Sequence, residues 1–135
     1  MNVLLVDDER DFLDTLVKRL RKRKLIVHGV TSGETALEEL KTNPADILIL
    51  DVKMPGMSGL ETLRRVKQEY PFMEVIMLTG HASMEVALEG MDLGAFDYLM
   101  KPIDIDELLY RIQDAYRRKC LHEMSGSEKT RVETE

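Results

Sequence analysis

Five polar side chains stand directly after apolar segments of this sequence. Asp7 and Asp8 follow the first apolar segment, Asp51 the third, Thr79 the fourth and Lys101 the fifth. Carboxylates bind hard divalent cations, and a hydroxyl and an ammonium can stabilise the oxygens of a phosphoryl group in transfer. If the fold brings these groups together, Asp51 can act as the nucleophile that accepts a phosphoryl group.

The apolar segments that must position these side chains are short and alternate with longer amphipathic stretches. We predict strands at residues 3–6, 25–30, 47–50, 75–78 and 96–100, several of them apolar enough to be buried on both faces. Each is followed by apolar residues at helical spacing, which indicates a mainly parallel sheet with helices on both faces. The predicted fold is α/β and flavodoxin-like, a (βα)5 doubly wound sheet of five parallel strands in the order 2-1-3-4-5.

Three predicted helices carry recognisable start signals. Ser32 is a plausible N-cap for the second helix. Ser58, with Glu61 three residues later, matches a capping box at the start of the third helix, and Asp104 with Glu107 gives the same pattern before the fifth.

The five polar side chains should meet at one edge of the sheet, because all strands of a parallel sheet point the same way. A single Asp at a strand end is more often a turn former or a helix cap, but chance does not readily place five polar groups after four strands. Three converging carboxylates raise one another's pKa values unless a cation neutralises them. Mg²⁺ fits such a site because it uses one or two carboxylates, keeps water ligands and recruits phosphate oxygens.

The composition indicates one soluble domain. The chain has 135 residues, of which 44% are hydrophobic and 33% charged, and its net charge of −6 argues against direct nucleic-acid binding. Basic clusters at residues 18–24 and 117–119 are interpreted as solvated helix faces or ends. No apolar run approaches the ~20 residues that cross a bilayer, and no signal peptide begins the sequence, so we expect a cytoplasmic protein without a membrane partner.

Two further expectations come from the ends and the cysteine content. We expect one domain over residues 1–124 and a flexible charged tail over residues 125–135, because the tail has almost no apolar residues. Cys120 is the only cysteine, which excludes an internal disulfide.

Together these motifs closely resemble those of response regulator receiver domains of two-component systems, and in particular receivers of the NtrC type. The resemblance lies in the acidic residues 7–9, the loop at residues 51–59, residues 78–80 and residues 97–102, and it covers roughly residues 2–123. It implies a phosphorylation-activated signalling switch whose only chemistry is its own phosphorylation and dephosphorylation, rather than an enzyme.

The resemblance assigns a role to each acidic residue of the site. Asp51 would be the phosphoacceptor. Asp8 and Asp51 would bind Mg²⁺ together with the backbone carbonyl of Lys53, and Asp7 would act largely through a metal-bound water.

The remaining roles concern the phosphoryl oxygens and the switch. Thr79 would donate a hydrogen bond to a phosphoryl oxygen and Lys101 would pair with it. The resemblance implies a cis bond before Pro102, which would aim Lys101 into the site. Tyr98 would be the switch aromatic, which swings inward as Thr79 moves toward the phosphoryl group.

The resemblance also implies partners. The phosphoryl donor would be a sensor histidine kinase, a phosphotransfer protein or a small acyl phosphate, since the sequence has no Walker loop for ATP. The output face would be helix 4, strand 5 and helix 5, which would bind an unidentified partner or form a homodimer. Asp97 and Arg111 match a charged network of dimerising regulators, but Ala87 stands near the place of its basic residue on helix 4. The chain would be a stand-alone receiver or part of a longer transcriptional regulator.

Some residues near the site have two interpretations. His81 could be a base or a metal ligand, but with Lys53 it is better interpreted as an exposed modulator of phosphoryl lifetime. On helix 4, predicted at residues 83–92, we expect most of Met84, Val86 and Met91 to be core, although methionines also suit adaptable partner surfaces.

Three other functions fit parts of the sequence. A metal-dependent phosphatase that forms an aspartyl phosphate would carry a second acid two residues after its nucleophile, where this chain has Lys53. A flavodoxin would need a hydroxyl- and Gly-rich phosphate loop after strand 1, where this chain has three acidic residues. A receiver-like scaffold that never accepts phosphate is at odds with the complete set of site residues.

Overall fold

The computed structural model of the protein describes residues 1–81 and 83–134, with side chains as far as Ser125. Its five strands form one parallel sheet in the order β2-β1-β3-β4-β5, so the predicted fold and strand order are confirmed. The strands are β1 (Asn2–Val6), β2 (Ile26–Val30), β3 (Ile47–Leu50), β4 (Glu74–Thr79) and β5 (Asp97–Met100).

The central strands are apolar between their end residues, as expected where helices cover both faces of the sheet. On one face, Leu5 and Ile49 pack in a core with the apolar residues of α1 and α5. On the other face, Leu4 and Leu48 pack with those of α2 and α3. In the edge strand β2, by contrast, only Val27 is buried.

Five helices alternate with the strands. They are α1 (Arg10–Arg21), α2 (Gly33–Thr42), α3 (Gly59–Glu69), α4 (Met84–Asp92) and α5 (Ile105–Thr134). The hydroxyl of Ser32 accepts a hydrogen bond from the Thr35 amide, and that of Ser58 accepts one from the Glu61 amide, as an N-cap does. The predicted caps at Ser32 and Ser58 are therefore confirmed, although the Glu61 carboxylate pairs with Arg64 and Arg65.

Helix α4 packs on the sheet differently from the prediction. Met84 is 75% exposed and Met91 is 45% exposed, so the core interpretation was wrong for both, while Val86 is half-buried. The reason is the close approach of α4 at Gly90, where an added Cβ would lie 2.3 Å from the sulfur of Met77. Contact through a glycine turns the larger apolar side chains of this short helix away from the core.

Helix α5 buries Leu108, Ile112 and Ala115 against the sheet, as its periodicity predicts. The helix extends to Thr134, but the side chains after Ser125 lie outside the described residues, so the predicted flexible tail at residues 125–135 stays a prediction. None of the helices in the described part of the chain is both long and apolar enough to cross a membrane.

An ion cluster around the buried Glu74, here called the Glu74 cluster, joins this residue of β4 to Lys67 of α3 and to Arg118 of α5, whose side chain is 38% exposed. Glu74 is 1% exposed, its Oε2 accepts a hydrogen bond from Arg118 Nε, and the Lys67 Nζ lies 3.8 Å from its Oε1. The neighbouring Lys119 lies 3.2 Å from Asp46 and its side chain is 14% exposed. The solvated interpretation of residues 117–119 was therefore wrong for Lys119 and incomplete for Arg118.

Candidate functional site

Strand register places two carboxylates side by side at the carboxyl edge of the sheet. Val6 of β1 pairs with Leu50 of β3, so Asp7 and Asp51 each stand one residue beyond the paired strands. Their backbones stay anchored, since the Asp51 amide donates to the Val6 carbonyl at 2.9 Å. Both aspartates are buried, at 5% and 4% exposure.

Asp7, Asp8 and Asp51 form what we call the acidic cluster. Each of the three offers a carboxylate oxygen, and these oxygens all lie within 4.8 Å of one another. Asp8 is exposed, whereas the other two are buried. Three carboxylates at such separations repel one another unless positive charge stands between them, so the donor set fits a hard divalent cation.

Lys101 brings one positive charge to the acidic cluster. Its amide donates to the Thr79 carbonyl at 2.8 Å, and the peptide bond to Pro102 is cis. Its ammonium donates to Asp7 Oδ2 at 2.6 Å and lies 3.8 Å from Asp51 Oδ2. Glu9 Oε1 is also close, at 3.7 Å.

Burial and charge change the pKa values of Asp7 and Lys101 together. Burial raises the pKa of Asp7, and this effect exceeds the opposing hydrogen bond from Lys101. Burial lowers the pKa of Lys101, but the hydrogen bond and charge of Asp7 and the charges of Asp51 and Glu9 together outweigh it, so the net shift is upward. Lys101 is therefore held charged beside a carboxylate that gains a proton more readily than usual.

The loop after β3 is held close to Asp51 by backbone contacts. The Val52 amide donates to Asp51 Oδ1 at 2.8 Å, and the Gly59 amide donates to the Val52 carbonyl at 2.8 Å. A Cβ at Gly59 would lie 2.3 Å from the Asp51 carbonyl oxygen, so only glycine permits α3 to start this close to the site. Glu34 at the start of α2 accepts from the Met57 amide at 2.7 Å, a contact that the sequence reasoning missed.

A second set of hydrogen bonds joins Thr79 to Tyr98 through the backbone of His81. The His81 amide donates to Thr79 Oγ1 at 3.1 Å, and the Tyr98 hydroxyl donates to the His81 carbonyl at 2.8 Å. Thr79 is fully buried and Tyr98 is half-buried. The two residues predicted to act as a switch are thus linked through the backbone N–H and C=O of one residue, His81, in the loop after β4.

Lys53 and His81 both line a groove of about 450 Å³, which is also lined by Val52, the residue after Asp51. Both residues are exposed, as predicted, and His81 does not belong to the group of possible metal ligands found in the described residues, which is the acidic cluster. The groove is lined partly by Met54 and Val86, so a molecule that approaches the site meets apolar as well as charged groups.

Phe12 is a site residue that the sequence reasoning missed, since its helical spacing indicated only a core position. The Lys101 ammonium lies 4.2 Å from the centre of the Phe12 ring. The signal in the sequence was the position of this aromatic residue in the first turn after the acidic residues 7–9. Apart from Tyr98, which lies within β5 opposite Met77, the predicted site residues lie at the carboxyl edge of the sheet, and their assigned roles stay predictions.

Comparisons with known proteins agree on one family. The sequence model of the response regulator receiver domain matches residues 3–113. The chain is 38% identical over 111 residues to the DNA-binding transcriptional regulator NtrC of Klebsiella pneumoniae, covering 82% of this chain and 24% of that protein. It is 36% identical over 118 residues to the heme response regulator HssR of Staphylococcus epidermidis, covering 87% of this chain and 52% of that protein.

A solved structure gives the same result for the fold. The CheY-like response regulator receiver domain protein of Methanospirillum hungatei superposes with a TM-score of 0.86 at 28% identity. The alignment covers 90% of this chain and 97% of that one. The chain therefore covers almost all of that receiver domain protein but spans only about a quarter of the length of NtrC.

Proposed function

Because the chain belongs to the response regulator receiver domain family, whose members are signalling switches of two-component systems, we propose that it accepts a phosphoryl group on Asp51. The observation that supports this proposal most directly is the acidic cluster with Lys101 beside it. Three carboxylates and one ammonium leave the site with excess negative charge, and an ordinary structural ion pair has no such excess. A site of this kind is suited to bind a cation and then an anionic group.

The acidic cluster fits Mg²⁺ by its donor chemistry, since carboxylate oxygens are the ligands that this ion uses in proteins. We propose that Asp8 and Asp51 hold the ion with the backbone carbonyl of Lys53, and that Asp7 contributes through a bound water. When bound, Mg²⁺ supplies positive charge that offsets the repulsion between the carboxylates and the phosphoryl oxygens.

Phosphoryl transfer would use Asp51 as the nucleophile. A carboxylate oxygen of Asp51 forms a bond to phosphorus, and the bond from phosphorus to the donor's imidazole nitrogen or acyl oxygen breaks, with its electron pair leaving on the donor. The product is an acyl phosphate. The Val52 amide, which donates to Asp51 Oδ1, keeps the carboxylate in a fixed orientation for this step.

Lys101 and Thr79 would stabilise the transferred group. The Lys101 ammonium already lies 3.8 Å from Asp51 Oδ2, so a small movement away from Asp7 brings it to a phosphoryl oxygen. The Thr79 hydroxyl now accepts a hydrogen bond from the His81 amide, and we propose that it turns to donate to the phosphoryl group. Either movement places a donor where negative charge accumulates.

The response would then reach the surface through Tyr98. The Tyr98 hydroxyl donates a hydrogen bond to the carbonyl of His81, and the amide of His81 donates one to Thr79. Movement of Thr79 would therefore shift His81 and alter the hydrogen bond that holds the Tyr98 ring. We propose that this alters the face made by α4, β5 and α5. Large apolar side chains stand exposed on these three elements, at Met84, Leu88, Met91, Met100 and Tyr110.

The charged network predicted for dimerising regulators is only partly present on this face. Arg111 of α5 donates to Asp97 of β5 at 2.8 Å within the chain. Helix α4 carries no basic residue and has Ala87 near the expected place. We therefore propose an output contact by a partner or a homodimer that relies on the exposed apolar residues rather than on that network.

The relatives suggest the pathway in which the switch acts. NtrC is a DNA-binding transcriptional regulator, and the chain matches about a quarter of it. We propose that this receiver takes its phosphoryl group from a sensor histidine kinase or phosphotransfer protein in the cytoplasm and controls a transcriptional regulator.

The test is incubation with acetyl phosphate, with and without Mg²⁺, followed by intact mass measurement. We expect one phosphoryl adduct that requires Mg²⁺ and is absent in Asp51→Asn. Asp92→Asn makes the same chemical change at an exposed position on α4 and should leave the adduct intact. An adduct that persists in Asp51→Asn would contradict the assignment of the phosphoacceptor, and failure with both acetyl phosphate and a cognate kinase would favour a phosphate-independent scaffold.

A further inference from the structure

We propose that Phe12 is a positioning residue for Lys101, whose ammonium it holds by a cation–π contact within reach of a phosphoryl group on Asp51. The inference deepens the proposed function and rests on it. The ring centre lies 4.2 Å from Lys101 Nζ, well inside the range at which an aromatic face attracts a cation.

The Phe12 ring is held in place by its surroundings. It lies in the first turn of α1, is half-buried and packs against the core on that face of the sheet. It also lines a small cavity, about 10 Å³ in volume, together with Asp7 and Asp51. A ring fixed by packing beside both carboxylates can restrain a flexible lysine without moving itself.

The contact matters because the Lys101 ammonium has competing acceptors. Asp7 Oδ2 accepts from it at 2.6 Å, while Glu9 Oε1 and Asp51 Oδ2 lie 3.7 and 3.8 Å away. Phosphoryl transfer requires Lys101 to exchange Asp7 for a phosphoryl oxygen. An aromatic face attracts the cation by its quadrupole and accepts no directional bond from it, so the donors remain free during this exchange.

An aliphatic residue at position 12 could fill the same space as Phe12. The test must therefore separate the electrostatic attraction between the ring and the Lys101 ammonium from the packing of the side chain. Fluorine atoms on the ring do this, because they withdraw negative charge from the ring face while keeping its shape and apolar character. We would introduce 4-fluoro-, 3,5-difluoro- and pentafluorophenylalanine at position 12, with Phe12→Leu as the variant that lacks a ring. Phe96, whose ring lies 4.6 Å from the Arg118 guanidinium in the Glu74 cluster region, is the matched control for the same substitutions.

Two readouts would be followed in the full chain. The first is the rate of Asp51 phosphorylation by acetyl phosphate with Mg²⁺. The second is the proton chemical shift of the Lys101 ε-methylene group without Mg²⁺, which a ring this close moves upfield. We expect both to change stepwise with fluorination, the rate falling about 3- to 10-fold for the pentafluoro ring and for Phe12→Leu. The same rings at Phe96 should change neither readout.

The outcomes separate this inference from the proposed function. If the fluorinated rings leave both the rate and the chemical shift unchanged and only Phe12→Leu is slow, Phe12 acts through packing and the inference is overturned. If the unmodified protein forms no Asp51 adduct, the proposed function fails. The Lys101 chemical shift would in that case still decide whether Phe12 holds the ammonium.

Discussion

The two ends of the sheet treat buried charge in opposite ways. At the amino end, one carboxylate of the Glu74 cluster stands between two cations, Lys67 and Arg118. At the carboxyl end, the acidic cluster has three carboxylates, and the ammonium of Lys101 lies close to two of them, Asp7 and Asp51. The chain itself compensates the Glu74 carboxylate, with one positive charge in excess, whereas the acidic cluster with Lys101 has an excess of negative charge.

This difference separates structural charge from functional charge. The charges of the Glu74 cluster link α3, β4 and α5, and both cations that offset the Glu74 carboxylate come from the chain itself. Among the described residues, only Glu74 Oε1 is a buried polar side-chain atom without a hydrogen bond. The acidic cluster is electrostatically incomplete, because close like charges disfavour the ionised forms. A cation from solution, and after it a phosphoryl group, can complete it.

The largest expected effect follows from removal of the Glu74 carboxylate at the amino end of the sheet. Glu74→Gln leaves Lys67 and Arg118 without a counter-charge, and we expect the free energy of unfolding to fall by about 3 kcal/mol. Urea denaturation followed by circular dichroism would measure it. Glu61→Gln, which removes a partly exposed carboxylate from pairs with the exposed side chains of Arg64 and Arg65 on α3, is the control and should leave the stability nearly unchanged. Equal effects of the two substitutions would mean that the Glu74 cluster contributes no more than a surface pair.

The second effect is stabilisation by Mg²⁺ at the incomplete end. At a Mg²⁺ concentration about 100 times the dissociation constant, we expect the free energy of unfolding to rise by about 2.7 kcal/mol, and removal of the ion with EDTA to reverse the change. The gain should disappear in Asp51→Asn and persist in Glu74→Gln. Mg²⁺ stabilisation that survives in Asp51→Asn would place the ion elsewhere.

A smaller effect is expected from relief of repulsion within the acidic cluster. In EDTA, Asp8→Asn removes one of three charges whose oxygens lie within 4.8 Å, so the free energy of unfolding should rise by about 1 kcal/mol. Stabilisation by Mg²⁺ should be lost in the same variant. Asp14→Asn on the exposed face of α1 serves as control, and a less stable Asp8→Asn protein in EDTA would show that the cluster is not under repulsion.

The smallest effect concerns pH and Lys101. Its pKa in the folded protein is raised above the ordinary value of 10.5, so its charge stabilises the fold fully below that pH. The contribution is lost as the pH rises through the folded pKa. The difference in unfolding free energy between the wild type and Lys101→Met, measured in EDTA, should therefore stay constant near neutral pH and shrink above about 10.5. A difference that grows with alkaline pH would contradict the raised pKa.

Prediction from sequence worked where local pattern and parallel strand direction suffice. The apolar run at residues 47–50 was predicted to be buried on both faces, and all four residues are buried. Ser58 caps the next helix by accepting a hydrogen bond from the amide of Glu61, three residues later in the sequence. Prediction failed on α4, because Met84 and Met91 are compatible with either a core or a surface position. The choice depended on Gly90, whose contact with Met77 of β4 joins residues distant in sequence.

The sequence by itself determined which polar residues reach the carboxyl edge, because each one follows a strand and all strands run in the same direction. Tertiary structure alone decided which charges are balanced. Arg118 lies 44 residues after its partner Glu74, and Phe12 lies 89 residues before Lys101, so no local pattern relates them. Their interactions exist because α5 and α1 pack against particular strands, and the strength of a charge contact depends on that packing through distance and burial.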